Sequence, residues 1–292
     1  MEVRPFDRAR DLDAVLEMVA TSRAKEEPGA IFHPGGLQWW VRRVGRPSFD
    51  VAVLVENGRI VGFALHDEGD VVLQTEAGHA AARADLVAWV EERARILREP
   101  EIFISVAEAD ENLRDELQGR AYEPSDRYGY ELVFDLATER PVQRLPPGFA
   151  MRSLSPEVTD RYIELHRAAW SRPGRPSSYD RAQHDAVVAM PDFRYEMVPI
   201  AVASDGTFAA YCMSWWDPRT RSVEIEPLGT HPAFRRLGLA RAIVHEVFAR
   251  AAVLGAAYVL VWGASGNPEA RALYLSAGMR AVRVIRDHRL AL

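Results

Sequence analysis

The chain has 292 residues, enough for two domains of ordinary size, and 48% of them are hydrophobic and 27% charged, as in a globular protein with a sizeable core. Its one cysteine, Cys212, excludes an intramolecular disulfide and a cysteine-rich zinc site. The formal net charge of −6 disfavours a broad surface for nucleic acid. We therefore expect a protein that does not bind nucleic acid.

Neither a membrane-spanning segment nor a metal site is predicted. The first residues, Met1 to Pro5, are charged rather than apolar, and no apolar run approaches the roughly 18 residues that span a bilayer. The histidines do not recur at ligand spacing with aspartate or glutamate partners. These features predict a cytoplasmic protein that contacts no membrane and binds no metal.

The first half of the chain opens with a short strand ending at Arg4 and continues into a helical stretch. Strands at 51–55 and 60–65 then flank Asn57-Gly58, a pair typical of a tight β-hairpin turn. A third strand, a long helix, another strand, a shorter helix and a last strand complete the half. The helical stretch is marked by apolar residues at a spacing near 3.6: Leu12, Val15, Leu16 and Val19.

The second half repeats this order of elements. The polar stretch 137–148 carries three prolines and a glycine, which predicts a linker at 139–148 between domains at 1–138 and 149–292. After the linker, a hairpin forms around Asp205-Gly206, as it does in the first half. We therefore predict an α/β fold of two tandem domains, each a mixed, mostly antiparallel sheet with helices on both faces.

The most informative stretch begins with a strand at 223–228. An arginine-rich loop at 229–240 follows, with small residues at Gly238 and Ala240, and leads into a helix that ends near Leu254. Small residues let the backbone approach a ligand closely, and the N–H groups at the start of a helix attract anions. This pattern is typical of a pyrophosphate site, although an isolated loop of this kind would more often be a plain turn with exposed arginines.

The surrounding residues resemble the GCN5-related N-acetyltransferase (GNAT) family, whose pyrophosphate loop reads Gln/Arg-x-x-Gly-x-Gly/Ala. The strand at 258–262 has its counterpart in that family. Two departures are Ala240, where glycine is commoner, and Met279, where phenylalanine is usual. The matching residues are Leu228, His231 and Pro232 before the loop, Arg235, Gly238 and Ala240 in it, and Asn267, Ala270, Tyr274 and Gly278 after it.

The resemblance implies binding of acetyl-CoA as co-substrate, without a metal. The Leu228 amide would bond the thioester oxygen, and the main chain of Thr230 would hold the pantetheine arm. The region from Arg236 to Ala240 would cradle the pyrophosphate. The residues implied in binding are Leu228, Gly229, Thr230, Arg235, Arg236, Leu237, Gly238, Leu239, Ala240 and Asn267.

The resemblance also suggests catalytic residues. Tyr274 lies where the family places its general acid; the alternative is a core aromatic residue between two leucines. Glu224 and Glu226 are two apart on a strand, so we expect them on one face, where either could act as base. We favour Glu226, which lies nearer Leu228, although both glutamates could instead orient a cationic acceptor or pair with arginines. His231 is expected to be structural.

The first half lacks these features. After Gln74 no Arg-x-x-Gly-x-Gly/Ala sequence follows, and alignment of Asp110 with Asn267 places Leu117 opposite Tyr274. Leucine cannot donate a proton. The resemblance is therefore to the family's tandem type, with a degenerate first domain that helps to shape the acceptor cleft.

Two segments are expected to border the acceptor, at 32–43 and 170–179. The first of them contains Trp39 and Trp40, which could equally serve only to join the domains.

Together these features predict an acyl-CoA-dependent N-acyltransferase that moves an acetyl group from acetyl-CoA to a primary amine of a small molecule. Two alternatives stay open at this point: a non-catalytic module that binds or senses acyl-CoA, and an enzyme of the same fold that uses another acyl-CoA. Tyr274 together with two strand glutamates argues against the non-catalytic module. Fold alone does not decide between acyl groups or acceptors.

Overall fold

The computed structural model describes residues 1–46, 49–137, 144–263 and 267–292, with only the backbone of Ala80. Each half has the predicted order of strands and helices. The first half contains β1 (Glu2–Pro5), α1 (Arg8–Ala24), α2 (Pro34–Val41), β2 (Phe49–Glu56), β3 (Arg59–Asp67), β4 (Asp70–Thr75), α3 (Arg83–Leu97), β5 (Glu101–Ala107), α4 (Glu111–Gly119) and β6 (Glu123–Asp135). The second half contains β7 (Phe149–Ser153), α5 (Thr159–Trp170), α6 (Arg181–Val188), β8 (Pro199–Ala203), β9 (Phe208–Asp217), β10 (Ser222–Thr230), α7 (Leu239–Val253), β11 (Tyr258–Gly263), α8 (Pro268–Ser276) and β12 (Arg280–Ala291).

The described residues form two compact units. Unit 1 contains Met1–Glu131 and Val282–Leu292, and unit 2 contains Leu132–Gly263 and Asn267–Ala281. This differs from the predicted domains in two places. The change of unit falls between Glu131 and Leu132, inside β6, instead of after residue 138, and the last strand, which the sequence prediction assigned to 149–292, lies in unit 1 from Val282 onward. The reason is strand pairing, because β12 completes the edge of β5 in unit 1. Part of the predicted linker at 139–148 lies outside the described residues.

In unit 1, β1 to β4 pair antiparallel in sequence order, β4 pairs parallel with β5, and β5 pairs antiparallel with β12. Neighbouring residues of β3 face opposite sides of the sheet. Ala64 belongs to the apolar core under α3. Phe63 packs on Phe32, with ring centroids 5.3 Å apart. Apolar side chains therefore cover both faces, as the sequence predicted.

The segment 32–43, expected as an acceptor loop, is mostly helical in unit 1. Helix α2 runs through it as Pro34–Val41, capped by the His33 side chain, which accepts from the Gly35 amide. Trp39 is buried, and the Arg42 guanidinium lies over its ring at 3.3 Å from the centroid. Trp39 thus packs within its own unit.

In unit 2, β7 to β10 pair antiparallel in sequence order and β10 pairs parallel with β11. Every residue of β9 is buried. Helices α5 and α7 both pack against this strand, so its apolar residues do not alternate with exposed polar ones. This central strand positions β10, where the candidate site lies.

A buried ion pair closes unit 1. The Arg23 guanidinium lies 2.7 Å from the Glu131 carboxylate, and both side chains are buried. Arg23 also donates to the Phe32 carbonyl at 3.0 Å, and Arg283 of β12 lies 3.5 Å from the other Glu131 oxygen. Glu131 therefore ties β6 to α1 and to the last strand of the chain.

We expect Glu131→Gln to lower the free energy of unfolding by about 3 kcal/mol or more, because it leaves the buried Arg23 cation without its counter-charge. Urea unfolding monitored by circular dichroism measures the loss. Asp160→Asn is the matched control, since its partner Arg181 and Asp160 itself are exposed and such pairs contribute at most about 1 kcal/mol. Equal effects of the two substitutions would contradict this account of unit 1.

Candidate active site

Strand β10 is irregular where the two glutamates lie. It pairs with β9 from Ser222 to Ile225 and again from Leu228 to Thr230, with a shift of register between. On its other edge it pairs with β11 only from Ser222 to Glu224. Beyond Glu224, the described part of β11 forms no further pairs with β10. Such bulges disrupt the ladder locally and are common beside active sites.

The Trp215 indole fixes the bulge. Its Nε1 donates to the Glu226 carbonyl at 2.7 Å. Trp215 is 1% exposed and its ring contacts Phe193, so the donor is held in place by packing. A carbonyl that a bulge removes from the ladder is costly when buried without a partner, and the indole supplies that partner. The backbone around Glu226 therefore has a defined position.

The loop after β10 is tied back to its own unit by Arg235. Its guanidinium donates to the Ala169 carbonyl at 3.0 Å and to the Thr230 carbonyl at 3.4 Å. Arg236 and Gly238 then adopt left-handed backbone conformations, with φ of +65° and +81°. The chain thus turns sharply into α7, with Leu239 buried as its anchor.

Helix α7 begins without a side-chain cap, because Gly238 is the N-cap residue. Within the described chain, no residue accepts a hydrogen bond from the amides of Gly238, Leu239 or Ala240. A Cβ added at Gly238 would meet no atom within 4 Å. Unpaired amides at the positive end of a helix, facing open space, fit a pyrophosphate.

Tyr274 lies near Glu226. Helix α8, which carries Tyr274, is capped by Asn267, whose side chain accepts from the Ala270 amide at 3.0 Å. Tyr274 is buried, and burial raises the pKa of its phenol well above the usual value, with Cys212 and Glu226 adding to the effect. Its hydroxyl makes no hydrogen bond to a described residue. Tyr274 is therefore a protonated donor with its hydrogen-bonding capacity unused.

The two glutamates have different surroundings. Glu224 is 5% exposed and lies opposite Trp215 and Leu260 in the regular ladder. Glu226 is half-buried within the bulge. The expectation that both share a face assumed regular alternation, which does not apply across the register shift. The Glu226 charge raises the pKa of Tyr274 and Tyr211, whereas Glu224 is not among the charges that affect Tyr274.

Two of the predicted site residues have clear packing roles. A Cβ on Gly229 would lie 2.6 Å from the Tyr211 ring and 2.9 Å from Ala169, so glycine is required there by the packing of α5 on the sheet. His231 caps the turn Pro232–Phe234, accepting from the Ala233 amide at 3.2 Å, in line with the structural role expected for it.

Sequence reasoning missed a buried cluster of rings on the α5 side of the sheet. The His166 and Tyr179 rings stack with centroids 3.8 Å apart, and the Trp170 indole donates to the Tyr211 hydroxyl at 2.9 Å. His184 lies beside the Tyr179 hydroxyl at 3.2 Å, and burial lowers its pKa to about 4, so it is neutral at pH 7. The helical spacing of Tyr162 and His166 was the available sequence signal. The same spacing is typical of any helix face that packs into a core, so it does not indicate a ring cluster.

Strand registers identify the counterparts of these residues in unit 1. Parallel pairing ends at Val72 in β4 and at Glu224 in β10. Counting onward from these positions places Gln74 where Glu226 lies. The β3–β4 register has no shift at this point, so the extra residue is missing. Leu117, aligned with Tyr274, is fully buried in the core.

Two other features are absent from the described residues. No helix there combines the length and apolar character needed to cross a bilayer. No cluster of three or more histidine, cysteine, aspartate or glutamate side chains in the same residues has the geometry for a metal ion.

Part of the second half matches a known protein family. Residues 159–279 match the family model described as acetyltransferase (GNAT) family. No curated protein matches the chain. The structure resembles a GCN5-related N-acetyltransferase from Sphaerobacter thermophilus, with 19% identity, a TM-score of 0.65, and coverage of 99% of this chain and 95% of that one.

Two further solved structures resemble most or nearly all of the chain. A tandem GNAT protein from the clavulanic acid biosynthesis pathway has 17% identity and a TM-score of 0.65, covering 99% of this chain and 98% of that one. A GCN5-related N-acetyltransferase from Kribbella flavida has 17% identity and a TM-score of 0.56, covering 87% and 92%. The match at 159–279 is to the acetyltransferase (GNAT) family, and the chain has the tandem GNAT fold. The match supports an acyl-CoA-dependent acyltransferase in general.

Proposed function

We propose that the protein transfers an acetyl group from acetyl-CoA to a primary amine of a small molecule, with the chemistry in the second half, 149–292. The observation that carries this proposal is the uncapped start of α7 behind Gly238, next to the bulge that holds Glu226 near Tyr274. The first half, 1–138, has neither the bulge nor the tyrosine and is non-catalytic in this proposal.

The co-substrate would be held by backbone more than by side chains. The amides of Gly238, Leu239 and Ala240 would bind the pyrophosphate, with Arg236 and Leu237 exposed beside them. Leu228 and Thr230, past the bulge, would bind the thioester oxygen and the pantetheine arm. Arg235 holds the loop through two carbonyls, and Asn267 positions α8. When bound, acetyl-CoA supplies the activated acetyl thioester.

Glu226 is the better candidate for the base. A primary amine with a pKa near 10.4 is mostly protonated at neutral pH and must lose a proton before it attacks. Glu226 is half-buried, and its charge helps to raise the pKa of Tyr274. Glu224 lies in the regular ladder and is only 5% exposed. In this proposal Glu226 takes the proton, directly or through water, and Glu224 supports the local field.

Tyr274 would protonate the departing thiolate. Because burial raises its pKa, the phenol stays protonated throughout the neutral range and keeps its proton available to the thiolate as the C–S bond breaks. Direct transfer is favoured over an acyl-cysteine route. Cys212 is fully buried and burial raises the pKa of its thiol, so the thiolate nucleophile that such a route needs is scarcely formed.

The acceptor would approach from the α5 side of β10. Trp170, at the end of α5, is 44% exposed and is held by Tyr211 through its indole. The following segment 170–179 is predominantly exposed and continues to the buried Tyr179. An aromatic wall next to a carboxylate suits an amine that carries an apolar group.

The first prediction concerns the helix start. Gly238→Glu should weaken acetyl-CoA binding by at least about 100-fold, because the carboxylate would occupy the anion site and repel the phosphates. Isothermal titration calorimetry measures the affinity. Gly255→Glu is the matched control, since Gly255 has φ of +79° and equally open space at the other end of α7. Unchanged affinity in a folded Gly238→Glu protein would remove the pyrophosphate site from the account.

The second prediction concerns the acid. Tyr274→Phe should lower kcat by roughly 100-fold while acetyl-CoA affinity stays similar, as expected when a general acid is lost. Steady-state release of free CoA thiol gives the rate. Tyr122→Phe, at a buried tyrosine of unit 1, should leave kcat unchanged. Wild-type turnover by Tyr274→Phe would reduce Tyr274 to a packing role.

The third prediction is the shape of the pH profile. The rate should rise with pH as the acceptor and base lose protons and should not fall below about pH 10, because the raised Tyr274 pKa keeps the phenol protonated there. The profile is measured as kcat from about pH 6, near the usual histidine pKa, to about pH 10, near the usual tyrosine pKa. A fall between pH 8 and pH 10 that vanishes in Tyr274→Phe would mean that the phenol ionises at its usual value near 10 or below.

A further inference from the structure

The end of helix α5 is held by a side chain from outside the helix. The last carbonyls of a helix have no partner within it and are satisfied by other donors or by water. The Ser171 amide and hydroxyl both donate to the Arg167 carbonyl, at 2.9 Å and 2.7 Å. The Ala169 carbonyl instead accepts from the Arg235 guanidinium at 3.0 Å. A cation from the loop after β10 thus caps the C-terminus of α5, where the helix dipole favours positive charge.

Two further contacts fix the same helix end. Ala169 packs closely on β10, since a Cβ added at Gly229 would lie 2.9 Å from the Ala169 Cβ. The next residue, Trp170, donates its indole N–H to the buried Tyr211 hydroxyl at 2.9 Å. The position of the α5 end is therefore set jointly by β9, β10 and the loop that follows β10.

The segment 171–177 is built on this helix end. The Ser171 hydroxyl accepts from the Ser177 amide at 3.0 Å. Between them, Arg172 and Arg175 exchange both backbone hydrogen bonds, at 3.0 Å and 2.9 Å. These contacts close the segment into a compact turn whose position follows from where α5 ends. In the proposed function, Trp170 and this segment border the acceptor.

The Arg235 side chain is committed to backbone oxygens. Its Nη2 donates to the Ala169 carbonyl, and its Nε donates to the Thr230 carbonyl at 3.4 Å. The family resemblance implied a role for Arg235 in binding acetyl-CoA, yet two of its three guanidinium nitrogens already hold backbone. Arg236 is exposed, and its side chain makes no hydrogen bond or ion pair with a described residue. The two neighbouring arginines thus carry the same charge in one loop but have different contacts.

We propose that Arg235 is a positioning residue for the amine acceptor. It sets the end of α5, and with it Trp170 and the segment 171–177, and its side chain does not bind acetyl-CoA. The proposal rests on the proposed function for the acceptor, whereas the contact between Arg235 and α5 is independent of it. Because Arg235 belongs to the loop that would bind acetyl-CoA, one side chain aligns the sites of both substrates.

The first test needs no ligand and uses the full chain. Arg235→Gln and its matched control Arg236→Gln remove the same charge from the same loop. In hydrogen exchange followed by mass spectrometry, Arg235→Gln should speed exchange of the amides at 167–177 about fivefold or more, because the helix end loses a charged hydrogen bond. Arg236→Gln should leave this exchange within about twofold of wild type. Arg235→Met, which keeps the aliphatic stem, takes the place of Arg235→Gln if that variant does not fold.

Substrate measurements separate positioning from cofactor binding. By isothermal titration calorimetry, Arg235→Gln should bind acetyl-CoA within about threefold of Arg236→Gln, since only the shared loss of charge acts on the phosphates. The amine is the one that gives the highest rate in a panel of primary amines. Arg235→Gln should raise the KM for this amine about fivefold or more, with a smaller change in kcat.

Three outcomes overturn the proposal. They are unchanged exchange at 167–177, acetyl-CoA binding that Arg235→Gln weakens by more than about threefold beyond the control, and a fall in kcat at an unchanged KM for the amine. If no amine is acetylated, the proposed function fails, and the exchange result alone decides whether Arg235 holds α5.

Discussion

The bulge in β10 is the constraint on which the candidate site depends. One extra residue between Ile225 and Leu228 shifts the ladder with β9, and pairing with β11 ends at Glu224. The bulge exposes backbone that a regular strand would use for its own pairing, and Trp215 keeps it in one conformation. Glu226 and the start of α7 take their positions from it. In β4, which lacks that residue, the pairing with β3 runs from Gly62–Thr75 to Asp67–Asp70 without a shift.

The two halves share features of the fold and differ at the positions proposed for catalysis. Asp110 and Asn267 cap equivalent helices, and Ala121 and Gly278 share a left-handed conformation eleven residues later in each half, at φ of +65° and +95°. These features belong to the fold and occur in both halves. Leu117 stands in place of Tyr274 and Gln74 in place of Glu226, the two positions proposed for proton transfer. The proposal therefore places function in residues of one site on a fold that both halves share.

Much of the fold was accessible from the sequence, because hairpin turns and helical spacing are local signals. The Asn57-Gly58 and Asp205-Gly206 turns fixed the hairpins, and the element order of both halves is confirmed. The place of β12 in unit 1 was missed, since strand partners far apart in sequence leave no local pattern. The regular alternation assumed for Glu224 and Glu226 does not hold across the bulge in β10. The Trp215 contact and the rings around Tyr211 depend on tertiary packing, which spacing along the chain does not reveal.

The central claim is that Glu226 and Tyr274 serve amine acetylation at the end of β10. The most direct test incubates the full chain with acetyl-CoA and a panel of primary amines, and follows free CoA thiol together with the mass of each amine. The buried Cys212, the chain's one cysteine, leaves the thiol reading free of protein background. The account predicts thiol release that depends on the amine and matches N-acetylated product one for one. Release that no amine accelerates, with acetyl-CoA still bound, would contradict it and favour a binding module.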